Sequence, residues 1–434
     1  MHRVKAFLAQ TLSAGECVLA AVSGGADSMA MLDVLDACRE EVGYTLEVVH
    51  IHHHLRAESD AEWRFVEEAC KARALPFHGV HIDVKAYAKK EGLSMEAAAH
   101  TLRYEALYRV LDEVNGDYLA LAHHANDRAE TLLMNMLRGS GIQGLCAMPQ
   151  KRDPVIRPLL ALARSDIEAY CADKDLAYVT DASNFDTTIA RNRIRHELLP
   201  VLESYNPAVV EALGRLALSA EEDNAYIREE AQKLRAESLF IEAASWLLFD
   251  RAKLLNRHHT LIKKLVRACV QEVARGRSPL RFEQAEQACT MIEAGKGHLD
   301  IGQGLVIEAT RRYVFIGRTP QGAWTKKANA WHHQDLDGHF EAASDHLAVR
   351  TYQAGDTLRQ KNLGRKSLKK IFQERALPPI LRSVWPVVID TKTKDVLWLP
   401  FLAQTEHLGY HYSISHSEAK AVFKIGKSTA SIKS

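Results

Sequence analysis

A glycine-containing loop near the start of the chain has the composition of a phosphate-binding site. It follows an apolar run at 18–22 and precedes a helical pattern that begins at Met29. Two adjacent glycines let the backbone turn tightly there, so that successive N–H groups and the positive end of the helix dipole favour an anion in one concavity. We therefore expect phosphate groups to bind the six loop residues, which are Ser23, Gly24, Gly25, Ala26, Asp27 and Ser28.

Asp27 differs from the rest of the loop because its charge has the same sign as that of a phosphate. A carboxylate beside phosphates most simply holds the metal ion that accompanies them. The loop also lacks the Gly-Lys-Ser/Thr ending of the Walker motif, and with it the lysine that contacts the terminal phosphates. The sequence therefore predicts a nucleotide bound with a metal ion, in a protein that is not a Walker-type ATPase.

A second polar cluster lies at 123–131, after another apolar run and at the start of a helical pattern. Asp127 and Glu130 are three residues apart in it, so both carboxylates can lie on one side of the helix start. At a strand end they can bind an amine or a metal ion, or accept a proton. The alternative is that both residues only cap the helix. Their expected proximity to the phosphate loop favours the functional interpretation.

Basic residues supply candidate contacts to phosphates or bases. Arg191 and Arg195 lie four positions apart, and the planar guanidinium group suits phosphate oxygens. A solvated helix face is the alternative for this pair. Arg138 precedes a Gly-Ser-Gly segment, and the patch at 366–370 is most simply a phosphate contact without sequence preference.

The histidines and cysteines do not have the spacing of a metal centre. Histidines stand at 50, 52, 53 and 54, but neighbouring strand residues point to opposite faces, and no acidic or cysteine partner has metal-site spacing. The seven cysteines include no C-x-x-C pair. We therefore expect no zinc site at the histidines, and reduced thiols rather than a disulfide framework or an iron–sulfur cluster.

The elements that must position the polar clusters can be read from the first 200 residues. Apolar runs at 18–22, 46–52, 77–82 and 118–122 alternate with helical patterns at 29–42, 61–73 and 95–114. Such alternation predicts an α/β fold with a parallel sheet covered by helices on both faces. Because right-handed crossovers place the loops after each strand along one edge, the phosphate loop, the histidine segment and 123–127 should meet in one cleft.

The rest of the chain changes character twice. Residues 197–292 are mainly helical in pattern, and a polar linker at about 319–336 leads to short strands around a helix candidate at 366–375. Residues 350–434 contain 15 Lys and Arg against 6 Asp and Glu, a net charge of +9 in a chain whose total is +1. A compact basic end predicts a polyanionic partner such as RNA or DNA, with a solvated tail as the alternative.

Composition is that of an ordinary globular protein. The 434 residues are 47% hydrophobic and 26% charged, enough for two to four domains. No apolar run approaches the ~20 residues of a membrane span, and the first residues lack a signal-peptide core. We therefore expect a cytoplasmic protein.

In combination, these motifs resemble the bacterial tRNA(Ile)-lysidine synthetase family. The loop matches the Ser-Gly-Gly-x-Asp-Ser signature of the N-type ATP pyrophosphatases, or PP-loop superfamily, which also includes GMP, NAD and argininosuccinate synthetases and tRNA thiolases. The narrower resemblance rests on His54-Leu55-Arg56, Glu96-Ala97-Ala98, Arg103-Tyr104, His123-His124 with Asp127 and Glu130-Thr131, Arg138-Gly139-Ser140-Gly141, Arg157-Pro158-Leu159-Leu160, Asp181-Ala182-Ser183-Asn184, and Arg191-Asn192 with Arg195. The basic end resembles the family's second C-terminal domain through Gly355-Asp356, Leu368-Lys369-Lys370, Arg382, Trp385-Pro386 and Leu397-Trp398-Leu399-Pro400.

The resemblance implies three domains and a two-step reaction. A Rossmann-like ATP pyrophosphatase domain would occupy 1–205, a mainly helical domain 206–318, and a small basic α+β domain that binds tRNA 335–434. With ATP and Mg²⁺, the enzyme would adenylate the C2 carbonyl oxygen of the wobble cytidine in the CAU anticodon of tRNA(Ile). The amine of free L-lysine would then displace AMP, giving lysidine and changing the codon read from AUG to AUA.

The resemblance also implies roles for individual residues. Ser23, Gly24, Gly25, Ala26, Asp27, Ser28 and Arg103 would bind ATP, with Asp27 holding Mg²⁺. Asp127 and Glu130 would bind the ammonium group of lysine or the metal, and they form the catalytic set with Arg191 and Arg195. The residues expected to bind tRNA are Arg138, Arg365, Lys366, Lys369, Lys370 and Arg382.

Several points stay open at this stage. His100, Asn126, Arg128 and Phe401 depart from the residues usual in the family, which affects substrate fine-tuning rather than the reaction. A tRNA thiolase of the same superfamily is one alternative, although the versions that depend on a C-x-x-C are disfavoured. A nucleotide-sensing RNA-binding protein without chemistry is another. The oligomeric state is open, with a homodimer as one alternative, and so is the base that deprotonates lysine.

Overall fold

The computed structural model describes residues 2–52, 59–179, 190–276, 280–322, 324–327, 330–333, 338–342, 346–360, 364–404, 410–417 and 420–427. The chain divides into two compact units, Met1–Asn224 (unit 1) and Ala225–Ser434 (unit 2). Among the described residues, no helix is both long and apolar enough to cross a membrane. Three quoted sequence features, His53, the His54-Leu55-Arg56 motif and the segment 181–184, lie outside the described residues.

Unit 1 alternates strands and helices along most of its length. In chain order its elements are α1 (His2–Thr11), β1 (Cys17–Ala21), α2 (Ala26–Val42), β2 (Thr45–His52), α3 (Ser59–Ala72), β3 (Phe77–His81), α4 (Val84–Glu91), α5 (Met95–Glu113), β4 (Tyr118–Ala120), α6 (Ala125–Leu137), α7 (Ile142–Leu145), β5 (Lys151–Arg152), β6 (Val155–Ile156), α8 (Arg164–Asp173), α9 (Ala190–Arg193), a π-helical turn (Ile194–Leu198), α10 (Leu199–Tyr205) and α11 (Val209–Ser238), whose last residues belong to unit 2.

One sheet organises unit 1, with strand order β3-β2-β1-β4-β6-β5. All its strand pairs are parallel except β5–β6. Alternate residues of β1 enter two cores: Val18 and Ala20 pack with α1, α2 and α8, whereas Leu19 and Ala21 pack with α4 and α5. The predicted parallel sheet with helices on both faces is therefore confirmed, and its two-sided burial explains why the strands are continuously apolar.

The strand order fixes where a ligand can bind. The chain leaves β1 toward β2 on one side of the sheet, and β4 lies on the other side of β1. In open α/β sheets such a reversal creates a crevice at the carboxyl ends of the strands. The loop 23–28 follows β1 and the segment 123–127 follows β4, so both reach this crevice as predicted.

The described residues of unit 2 form three sheets and several helices. In chain order its elements are β7 (Leu239–Ala243), β8 (Trp246–Asp250), α12 (Arg251–Leu254), α13 (His259–Ala274), α14 (Phe282–Ala294), β9 (Gly297–Gly302), β10 (Leu305–Ala309), β11 (Tyr313–Arg318), β12 (Trp324–Lys327), β13 (Ala330–His333), β14 (Gly338–Ala342), β15 (Leu347–Thr351), β16 (Thr357–Gln360), β17 (Gly364–Ser367), α15 (Leu368–Glu374), α16 (Pro379–Arg382), β18 (Pro386–Asp390), β19 (Val396–Leu399), β20 (Ala403–Gln404), β21 (Tyr410–Ser417) and β22 (Lys420–Lys427).

The helices predicted in the middle of the chain are present as α13 and α14, and they pack on a five-stranded antiparallel sheet, β7-β8-β11-β10-β9. The region predicted to be mainly helical, 197–292, also contains β7 and β8, and β9 to β11 follow it. The C-terminal segment forms the small α+β arrangement that was predicted, in which α15 and α16 pack with strands β16, β18 and β19.

Candidate active site

The loop after β1 is held by the side chain of Ser28. Its Oγ accepts the N–H groups of Ser23 at 3.2 Å and Gly24 at 3.1 Å, and it donates to the carbonyl of Gly25 at 2.9 Å. Gly24 adopts a positive φ of 92°, which a residue with a side chain rarely takes. One hydroxyl therefore sets the shape of the loop, and it uses two of the N–H groups that the sequence analysis assigned to phosphate.

The groups that remain directed at a ligand are those of the first turn of α2. Gly25 is the N-cap residue, so the N–H groups of Ala26, Asp27 and Ser28 have no carbonyl partner within the helix. The side chain of Asp27 is 35% exposed at the same helix end. The loop thus offers backbone donors and one carboxylate to the crevice.

His124 connects this loop to the second cluster. It is the N-cap residue of α6 and is only 2% exposed. Its Nε2 lies 3.7 Å from Asp27 Oδ2 and 3.4 Å from Asp127 Oδ2, and its Nδ1 is buried without a hydrogen-bond partner. The two loops, about 100 residues apart in sequence, therefore meet at this imidazole ring.

The buried carboxylates of Asp127 and Glu130 contact the partly exposed Arg191 and Arg195, and we call these four residues the carboxylate–arginine box. Asp127 Oδ1 accepts Nη2 of Arg191 at 3.0 Å and of Arg195 at 3.2 Å. Glu130, whose side chain is fully buried, accepts Nε of Arg191 at 2.7 Å and Nε and Nη2 of Arg195 at 2.6 and 3.1 Å. All four predicted catalytic residues are thus in direct contact.

Local structure explains how the box assembles. Asp127 Oδ2 accepts the backbone N–H of His124 at 3.0 Å, so this residue also caps α6, and the two alternatives weighed from sequence coexist. Glu130 lies one turn further along the same helix. Arg191 comes from α9 and Arg195 from the π-helical turn Ile194–Leu198, a kind of distortion that is frequent at functional sites.

The electrostatics differ between the two aspartates. Burial acts to raise the pKa of Asp127, but His124 and Arg191 outweigh it and the pKa is lowered. Burial also raises the pKa of Asp27, and there the negative charge of Asp127 adds to the shift, so the pKa stays raised despite His124. The charge of Asp127 is therefore compensated within the protein, whereas that of Asp27 lacks full compensation.

His123 links the site to α5. Burial lowers the pKa of its imidazole to about 3, and the positive charges of Arg157, Arg103 and Arg191 add to this shift, while Asp127 opposes it. Nδ1 of this ring accepts Nε of Arg157 at 3.2 Å. Arg103, predicted to bind ATP, lies on α5, and its charge acts on this imidazole.

A cavity of about 310 Å³ adjoins the box. Arg164 and Glu168 contribute an ion pair with Nε and Oε1 2.9 Å apart, and Glu203 contributes an exposed carboxylate. The full lining comprises Asn126, Glu130, Arg164, Glu168, Arg195, His196, Leu199, Pro200 and Glu203. Charges of both signs suit a small zwitterionic ligand. Arg164, Glu168 and Glu203 were not among the predicted site residues, although the spacing of Arg164 and Glu168 is that of a helical ion pair.

The residues predicted to bind tRNA have different surroundings. Arg138 ends α6 and is exposed. In unit 2, Arg365 pairs with Asp395 at 2.9 Å, Lys366 pairs with Glu374, and Arg382 donates to the Leu377 carbonyl. Lys369 and Lys370 are exposed on α15.

Two protein-family models match segments of the chain. The PP-loop domain model matches residues 1–202, and the TilS substrate C-terminal domain model matches residues 347–406. The chain is 30% identical over 405 residues to the tRNA(Ile)-lysidine synthase of Thermotoga sp. (strain RQ2), covering 92% of this chain and 94% of that one. It is 30% identical over 450 residues to the enzyme of that name from Geobacillus kaustophilus, covering 93% and 95%.

A shorter alignment is closer in sequence. The tRNA(Ile)-lysidine synthase of Porphyromonas gingivalis (strain W83) is 46% identical over 200 residues, and this match spans 46% of this chain and 43% of that relative. This alignment is about as long as the match to the PP-loop domain model, which covers residues 1–202.

Proposed function

The chain belongs to the tRNA(Ile)-lysidine synthase family, a family of ligases that form a carbon–nitrogen bond, and from that premise we propose that it joins lysine to C2 of the wobble cytidine in the CAU anticodon of tRNA(Ile). The observation that carries the proposal is the carboxylate–arginine box, held against Asp27 of the phosphate loop by His124. This arrangement joins a nucleotide site to a second site that is charged and shaped for a small ligand.

The reaction proposed has two steps. The C2 carbonyl oxygen of the cytidine attacks the α-phosphorus of ATP, the bond to the β-phosphate breaks, and pyrophosphate leaves. The neutral amine of lysine then attacks C2, the C2–O bond breaks, AMP leaves with the electron pair, and the amine loses a proton. The product reads AUA in place of AUG.

The phosphate loop binds ATP in this proposal. The PP-loop domain match supports ATP binding by the segment that contains it. The first-turn N–H groups of α2 face the phosphates and stabilise negative charge on the departing pyrophosphate. We assign Arg103 to the same nucleotide, since its charge already acts within the crevice.

Asp27 is the residue that would hold Mg²⁺. Its incompletely compensated charge fits a cation, and among the residues that the structure describes no three His, Cys, Asp or Glu could hold a metal by themselves. Mg²⁺ that accompanies a nucleotide needs only one or two carboxylates, since phosphate oxygens and water complete its shell. When bound, it would neutralise charge on the phosphates.

Free lysine fits the cavity beside the box. Its carboxylate matches Arg164 and Arg195, and one of its two amino groups, held as an ammonium, matches Glu168 and Glu203, which leaves the other amino group to attack. The side chain of Glu130 is fully closed to solvent whereas that of Asp127 is 11% exposed, so we propose that Glu130 holds the arginines rather than lysine itself. Asp127, whose Oδ2 faces His124, is the carboxylate proposed to orient the attacking amine.

The division into domains 1–205, 206–318 and 335–434 remains part of the proposal, as does cytoplasmic location. The C-terminal family match at 347–406 falls within the basic segment and supports tRNA binding there. Within that segment the exposed Lys369 and Lys370 are the strongest candidates, because Arg365 and Lys366 are engaged in ion pairs.

The test of the proposed function is lysine transfer to RNA. Purified protein is incubated with ATP, Mg²⁺, radiolabelled lysine and a tRNA(Ile) transcript with the anticodon CAU, and label in RNA and released pyrophosphate are both measured. We expect both signals, and neither without ATP. A transcript whose wobble cytidine is replaced by uridine is the matched substrate control and should take up no label.

Two results would contradict the proposal. Pyrophosphate release without label in the RNA would favour the thiolase alternative. No pyrophosphate release with any tRNA would favour a nucleotide-sensing RNA-binding protein.

The two lysines of α15 give a separate prediction. Replacing Lys369 and Lys370 together by glutamine should weaken tRNA binding. If each lysine contacts one phosphate, the negative slope of the log of the binding constant against the log of the salt concentration should become shallower by about 1.8. The measurement is a salt titration of tRNA affinity. Lys392→Gln, an exposed lysine in the turn after β18, is the control and should leave the slope unchanged. An unchanged slope in the double variant would place the RNA surface elsewhere.

A further inference from the structure

A row of aromatic rings lies on α5, outside the carboxylate–arginine box. His100, Tyr104 and Tyr108 are spaced four residues apart and therefore share one helix face. The ring centroids of His100 and Tyr104 are 4.8 Å apart, and those of Tyr104 and Tyr108 are 6.1 Å apart. His100 is exposed, Tyr104 is half-buried and Tyr108 is 39% exposed. We call these three residues the aromatic row.

The middle of the aromatic row has basic neighbours. The charge of Arg157 acts on both Tyr104 and Tyr108, and Arg152 is a further cation near Arg157. Glu96 and Asp112, four residues before His100 and four after Tyr108, place exposed carboxylates at the two ends of the row. Glu105 lines a different cavity together with Arg109, which pairs with Glu113 at 3.7 Å.

The aromatic row is continuous with the candidate active site. The charge of Arg157 acts on Tyr104, its Nε donates to Nδ1 of His123 at 3.2 Å, and His123 precedes the N-cap residue of α6. A chain held by the rings would therefore lead directly into the crevice where the phosphate loop and the box meet.

We propose that the aromatic row stacks on unpaired bases of the anticodon loop next to the cytidine that is modified. The proposal rests on the proposed function, and it adds a surface that holds the neighbouring nucleotides. Exposed aromatic side chains flanked by arginine are the usual means of binding single-stranded RNA, because every base has a π-face and each phosphate a negative charge. An enzyme that reacts with one base must also hold the unstacked strand around it.

The experiment compares ring removal with ring retention. The RNA is an anticodon stem-loop with CAU and with 2-aminopurine on the 3′ side of the anticodon, whose fluorescence falls when it stacks. In the full chain, Tyr108→Leu should weaken binding about tenfold and abolish the quenching, whereas Tyr108→Phe should keep both. The salt slope should not change in either variant, since no phosphate contact is removed.

Tyr226→Leu is the matched control, because this tyrosine is also on a long helix and is 66% exposed. It should bind and quench as the wild type does. A thermal unfolding midpoint for each variant separates base stacking from a role of the rings in stabilising α5.

Three outcomes would overturn the inference. They are wild-type affinity and quenching in Tyr108→Leu, equal loss in Tyr108→Phe, or a change of oligomeric state without a change in RNA affinity. Lysine transfer by the wild type is measured on the same preparation. Its absence would contradict the proposed function, whereas the binding pattern alone decides the inference.

Discussion

Asp127→Asn should lower lysidine formation about a thousandfold while ATP still binds. The substitution keeps the size of the side chain and an oxygen that can accept the N–H of His124, so the start of α6 is preserved. It removes the charge that faces His124, Arg191 and Arg195. The amine of lysine then lacks its orienting carboxylate, and the two arginines lose one of their two anionic partners. Lysine transfer and the ATP dissociation constant are measured on the same protein.

The control uses a second helix with the same cap. Asp166 Oδ2 accepts the backbone N–H of Ala163 at 3.0 Å, the same contact at the same distance as in the pair of Asp127 with His124. Asp166→Asn should therefore transfer lysine at nearly the wild-type rate. If both variants lose activity equally, the effect comes from helix capping, and full activity in Asp127→Asn would refute the role assigned to that residue.

Glu130→Gln should have the largest effect on stability. The carboxylate is completely buried and accepts three N–H groups from two guanidinium groups. Removing one partner of a buried ion pair leaves an uncompensated charge, which typically costs about 3–5 kcal/mol. We therefore expect the free energy of unfolding of unit 1 to fall by that amount, measured as amide hydrogen exchange of α6 and β1 in the full chain over a urea series.

A surface pair provides the comparison for this variant. Glu113 contacts Arg109 at 3.7 Å with a side chain that is 62% exposed, and exposed pairs contribute about 0–1 kcal/mol. Glu113→Gln should therefore leave hydrogen exchange nearly unchanged. Adding Arg195→Met to Glu130→Gln should restore part of the lost stability without restoring lysine transfer. If Glu130→Gln is as stable as the wild type, the contacts of Glu130 do not contribute to the free energy of unfolding of unit 1.

The parts that sequence reasoning predicted correctly are those with a local signal. The β1 strand, the glycine loop and the start of α2 are contiguous, and each has its own composition. The parallel sheet followed from continuous apolar runs, since both faces of such strands are buried. β7 and β8 were missed because they lie inside a region of mainly helical pattern, and β9 because it begins and ends with glycine, a residue depleted in strands.

The box itself could not be derived from spacing. Asp127 and Arg191 are 64 residues apart, and no periodicity relates a helix start to a π-helical turn. The role of Ser28 was also invisible, because only the folded loop shows that its hydroxyl takes the N–H groups of Ser23 and Gly24. His124 was part of a quoted motif, but its position between two aspartates depends on the strand order.

The buried carboxylates of the box should respond to ionic strength differently from the exposed lysines of α15. Mobile ions screen exposed charges over about 10 Å at 0.1 M salt, but they reach buried pairs far less. The four charges of the box sum to zero and its two carboxylates are buried, whereas Lys369 and Lys370 are exposed to solvent. Added salt should therefore raise the KM for tRNA steeply and leave kcat almost constant. Measuring both parameters over a salt series would then distinguish tRNA binding from the chemical step.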